Sequence, residues 1–132
     1  MPETRLYTKL SGTSAVTDLV GTRIGPIRMM QGAANPKIVY NRASTEPVNH
    51  STGTCDVRFC TIHVDCYADT PLGARALSAA VRTALTGWTD AEGSPVISMA
   101  HQEDEFDSSA VVPGREDGPV TLTQTWLIQY VT

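Results

Sequence analysis

Residues 57–87 leave this chain few folds to choose from. The stretch VRFCTIHVDCYA is a long strand, and it runs through Asp69-Thr70-Pro71 into LGARALSAAVRTALTG. Thr70 is placed to cap a helix, and Pro71 suits the first helical position, where its missing N–H is not needed. Leu77, Val81, Ala84 and Leu85 fall on one face at helical spacing, and Gly87 stops the helix. A strand feeding a capped helix fixes half the molecule and holds no catalytic constellation.

The flanking segments extend the pattern. Residues 4–20 read as a helix broken once at Gly12. Leu6 and Leu10 lie on the first piece, Ser14 is positioned to cap the second, and Gly21 ends it. Residues 23–27 form a short strand whose Gly25 and Pro26 place it at an edge or a bend. Residues 37–43 form a second strand, and the polar run from residue 44 to 55 reads as a mobile loop. After the central helix, PVISMA begins another strand that continues into the acidic HQEDEFD. A second flexible loop at 107–118 precedes the last strand, PVTLTQTWLIQYV. On that strand Val120, Leu122, Trp126, Ile128 and Tyr130 share one face, opposite Thr121, Thr123, Thr125 and Gln129.

The expected fold class is therefore α+β, in the order α-β-β-β-α-β-β. An antiparallel-rich sheet of four to five strands carries two helices on one face, with long projecting hairpin loops. The 132 residues form one expected domain, since a chain this long buries about two-thirds of its unfolded surface. A strand of about thirteen residues spans about 43 Å, more than the ~35–40 Å width of such a domain. Strand ends are therefore expected to project, and to pack on another subunit or order on binding.

Charge narrows the function. A net charge of −4 with ten scattered Lys and Arg residues does not suit a grip on nucleic acid, which needs clustered cations. From Asp65 onward the only Lys or Arg residues are Arg75, Arg82 and Arg115. Three cysteines, and an N-terminus without an apolar signal core, predict synthesis in a reducing cytoplasm with no membrane attachment.

The reactive residue types do not assemble into a site. Cys55, Cys60, His63 and Cys66 have a spacing that invites zinc, but on a strand His63 points away from Cys60 and Cys66. Those two cysteines also lie about 20 Å apart, whereas zinc draws its ligands to about 2.0–2.3 Å. They are expected in the core. Glu103, Asp104, Glu105 and Asp107 lack the glycine turn of a calcium loop and read as a solvated strand end. His50, His63 and His101 accompany no nucleophile elbow, and no phosphate-binding glycine loop occurs. No catalytic residue, metal or cofactor is expected. Val111 and Val112, adjacent apolar residues in a polar loop, suggest either contact with a partner or local packing.

Three segments then carry a resemblance. LVGTRI at 19–24, PKIVY at 36–40, and VDCYADT at 64–70 with its alanine-rich helix resemble, in order along nearly the whole chain, the tail completion or tail terminator family of long-tailed phages with flexible tails. The resemblance implies a structural virion protein, not an enzyme, made in the host cytoplasm and resident at the head–tail junction. It implies a hexameric ring that caps the head-proximal end of the tail tube, stops tube polymerisation and meets the head connector or stopper protein. DNA would pass through without specific binding. Under this view Glu103, Asp104, Glu105 and Asp107 line the channel, and the loops bearing Val48, Asn49, His50, Val111, Val112 and Arg115 make the interfaces. Two other readings stand beside it: another head–tail connector or minor tail protein of similar build, and a small enzyme or ligand-binding domain.

Overall fold

The computed structural model describes residues 2–26, 36–50, 53–89, 96–107 and 120–131. Three helices and five strands follow in the order α1 (Pro2–Ser11), α2 (Ser14–Val20), β1 (Ile24–Pro26), β2 (Lys37–His50), β3 (Gly53–Ala68), α3 (Pro71–Leu85), β4 (Val96–Asp107) and β5 (Val120–Val131). The sheet order is β1-β2-β3-β5-β4. β1 runs parallel to β2 and every other pairing is antiparallel, so the sheet is mixed.

The α+β class expected from sequence holds, with one more helix than expected. The break at Gly12 separates α1 and α2 into distinct helices. Thr13, not Ser14, occupies the N-cap position of α2. Its hydroxyl is already engaged, donating to the Lys9 carbonyl at 2.7 Å, so it extends α1's bonding instead of capping α2. Thr70 behaves as expected: its Oγ1 accepts from the Gly73 N–H at 3.0 Å, with Pro71 in the first turn. Gly87 has φ +70°, the left-handed geometry that only glycine adopts without strain.

One core joins the layers. Leu6, Leu10, Val16 and Val20 from α1 and α2, with Leu77, Val81 and Leu85 from α3, pack on Ile38, Tyr40, Cys60, Ile62, Val64, Cys66, Trp126, Ile128 and Tyr130 of the sheet. The sheet residues lie on one face, as the pairing Ile62↔Trp126 and Cys60↔Ile128 requires. The helices therefore form a single layer on that face. The edge strand β1 is pinned where it enters, by Arg23 Nε donating to the Pro36 carbonyl at 2.8 Å and Ile38 N–H donating to the Arg23 carbonyl at 2.9 Å.

The stretch 44–50 corrects the loop expectation. It is strand, paired with β3 as far as His50↔Gly53. Pro47 and Asn49, within the run expected to be loop, sit in a ladder that absorbs them through register shifts between Arg42 and Ser44 and between Pro47 and Asn49. Local propensity lost to the partner offered by the long β3. Beyond Val57, the last β3 residue paired with β5, the β2/β3 ladder continues alone. That overhang of four β3 residues is about 13 Å long at ~3.3 Å per residue. At the other end β3 and β5 finish level at Ala68↔Val120. The loop expected at 107–118 lies, from residue 108, outside the described residues.

Candidate assembly surface

The acidic residues at the end of β4 do not form one row. Ser98 and Glu103 are extra residues relative to β5, because the register steps between Ile97 and Met99 and again between Gln102 and Asp104. After the second step Asp104 stands opposite Thr125, Glu105 opposite Gln124, Phe106 opposite Thr123 and Asp107 opposite Leu122. Gln124 shares the helix-covered face with Trp126, whereas Thr123 and Thr125 lie on the uncovered one. A bulge at Glu103 thus aims Glu105 at the helix layer and leaves Asp104 and Phe106 on the other side.

Glu105 is held there by a network that joins three elements. Arg82 Nη2 on α3 approaches its carboxylate at 3.1 and 3.3 Å. Gln124 Nε2 donates to Glu105 Oε1 at 3.0 Å and to the Ser78 carbonyl of α3 at 2.8 Å. Gln124 Oε1 accepts from Trp126 Nε1 at 2.8 Å. Gln124 is fully buried, so each of these bonds replaces one that water would have made. The ion pair itself is partly solvated and contributes little alone. The sequence contained the signal for Gln124: alternation from Leu122 to Trp126 puts residue 124 on the core face. A glutamine there must find polar partners.

The uncovered face is built differently. Thr123 Oγ1 donates to Asp65 Oδ1 at 2.6 Å, linking β5 to β3. Lys37 Nζ lies 5.0 Å from the centre of the Tyr67 ring, a cation–π distance. Burial, and then the Asp65 carboxylate, raise the Tyr67 pKa. His63 lies on this face opposite Thr125, and His101 opposite Leu127. Phe106 is 47% exposed and Met99 36%.

Cys60 and Cys66 are buried in the core on the opposite side from His63, as the alternation required. Burial, with the nearby Glu105 and Asp65 charges adding to it, pushes the Cys66 thiol up to about 12. A thiol so held stays protonated and is a poor nucleophile and a poor metal ligand. Among the described residues no three His, Cys, Asp or Glu side chains converge as a metal site. Val48, Asn49 and His50 end β2 beside the hairpin turn, whereas Val111, Val112 and Arg115 lie outside the described residues.

Clefts lined by described residues open on the helix layer. One of about 330 Å³ lies among Arg5, Lys9, Thr13 and Trp88. The other, of about 420 Å³, lies between α1 and the edge strand β1, walled by Tyr7, Ile24, Pro26 and Tyr40. Neither brings together a nucleophile and a base.

These features define a class of protein: a compact sheet-and-helix building unit whose described polar side chains tie its own layers together. Residues 4–110 match the family of the tail completion protein gp17, and the chain belongs to that family. It is a structural protein of a phage tail, a component of the virion. A chain in the solved virion of a native gene transfer agent particle is similar in fold, with a TM-score of 0.74, 16% identity, and 96% of this chain and 92% of that chain covered. No curated protein sequence matches the chain. No helix among the described residues is long and apolar enough to cross a membrane.

Proposed function

We propose that this protein terminates the tail: it assembles as a ring, expected to be hexameric, on the head-proximal end of the tail tube. There it stops tube growth and forms the joint with the head connector or stopper, and DNA passes through. The observation that carries this reading is the family match over residues 4–110, most of the described chain. The overhanging β2/β3 hairpin supports it, because a two-stranded extension is marginal in water and gains stability by packing on a neighbour. Val48, Asn49 and His50 at its tip are then contact residues, as are Val111, Val112 and Arg115.

The acidic end of β4 faces the channel in this proposal. Glu103, Asp104, Glu105 and Asp107 keep like charge toward passing phosphates, which discourages binding. The charge of Glu105 is already offset by Arg82, so Glu103, Asp104 and Asp107 carry most of the effect. Electron microscopy of particles made without this protein tests the main claim. Overlong tails and unjoined heads are expected. Tails of normal length, joined to heads, would refute it.

A further inference from the structure

We infer that the end of β4 beyond Glu103 is a strap: residues 104–107 lift off the folded domain as a unit, and Glu105 is the latch that keeps them down. The bulge at Glu103 divides β4 into two stretches with different anchors. Before it, Ile97 and Ala100 are buried in the core. After it, Asp104 and Phe106 are exposed on the face away from the helices, and no described side chain of the stretch is buried. β4 is an edge strand, so its ladder ties residues 104–107 to β5 and to no other described strand. Gln102 Nε2 donates to the Asp104 carbonyl at 3.3 Å, but that bond stays within β4. The described side-chain bonds that hold this stretch to α3 and to the core all end on Glu105.

The network lets the latch release without disturbing what lies beneath. The Gln124 amide has two N–H donors, of which one goes to the Ser78 carbonyl at 2.8 Å and the other to Glu105 at 3.0 Å. Its Oε1 accepts from Trp126 Nε1. When Glu105 leaves, Gln124 keeps its bonds to Ser78 and Trp126, and the freed N–H faces the gap that opens to water. Arg82 is half exposed and exchanges the carboxylate for solvent. One bond of the buried amide is traded for water and the apolar core is untouched, so opening costs little beside unfolding.

The ion pair is partly solvated, so salt weakens it and shifts the strap toward its open form. Opening bares the β5 backbone from Leu122 to Thr125 and carries Asp104 and Asp107 away from the body of the domain.

Residue-resolved amide exchange of the free chain, followed by NMR at low and high salt, tests the strap. Ladder amides of residues 104–107 should exchange at least about tenfold faster than those of residues 97–102. Glu105→Gln should speed the first group by about threefold to tenfold and leave the second group and α3 unchanged. High salt should act in the same direction on the wild-type chain and have little effect on Glu105→Gln. Arg82→Ala should give a smaller rise with the same pattern, because Gln124 still holds the carboxylate. Equal protection along the whole of β4 overturns the strap, as does a Glu105→Gln effect spread evenly over β4, β5 and α3. Fast exchange at 104–107 that neither Glu105→Gln nor salt alters overturns Glu105 as the latch.

Discussion

The two faces of the sheet carry the same strands but do different work. On the helix-covered face Trp126, Ile62, Val64 and Ile128 are fully buried, and the polar exception, Gln124, has partners for both its amide nitrogen and its oxygen. On the other face Thr123 bonds Asp65 across β5 and β3, Lys37 lies over the Tyr67 ring, and large apolar side chains such as Phe106 remain exposed. One face carries the helix layer; on the other Val39, Thr123 and Thr125 are still buried, and exposure is concentrated at Met99 and Phe106 of the edge strand β4. The difference teaches that alternation along a strand assigns residues to roles before any function is considered.

Substitutions paired across the two faces would break or sharpen that contrast. The largest effect is expected for Trp126→Ala, which removes the largest buried side chain and should cost about 3–5 kcal/mol in urea unfolding. Its neighbour Thr125→Ala, on the other face, should cost well under half of that. Cys66 comes next. Its folded pKa lies above its ordinary value of 9.0, so the stability it contributes is present below pH 9 and is lost as the pH rises toward 12. Between pH 9 and 11 the wild-type chain should therefore lose more stability than Cys66→Val, and parallel slopes would contradict the burial argument.

Gln124→Leu keeps the volume but strands Trp126 Nε1 and the third bond of Glu105, for an expected loss of about 1–3 kcal/mol. Thr123→Val removes the hydroxyl that bonds Asp65 on the face away from the helices and should cost about 1 kcal/mol. The smallest effect is expected for Arg82→Ala, whose half-exposed ion pair should be worth less than about 1 kcal/mol and should weaken further with salt. Were Arg82→Ala to cost as much as Gln124→Leu, the network would have to be read as one unit instead of a buried amide with a solvated rim.

Much of the fold was legible because local signals and tertiary needs agreed. Thr70, Pro71 and Gly87 bracket α3 by the chemistry of their own backbones. Gly25 and Pro26 marked β1 as an edge or a bend, and among the described strands it is an edge. Residues 44–50 were misread as loop because Pro47 and Asn49 speak only for themselves, whereas their pairing is decided by β3. The site was less legible. The acidic run of β4 was visible as composition, but which acid meets Arg82 depends on a bulge at Glu103. A bulge leaves no mark in a sequence that reads as uninterrupted strand.

That single surplus residue has a consequence for anyone lining up relatives of this chain. From position 104 onward the odd and even places exchange sides. A relative lacking the insertion would present its second acid, not its third, to the arginine of the central helix. Matching such chains letter for letter would pair residues that never occupy the same surroundings, and a gap placed at 103 would restore the correspondence.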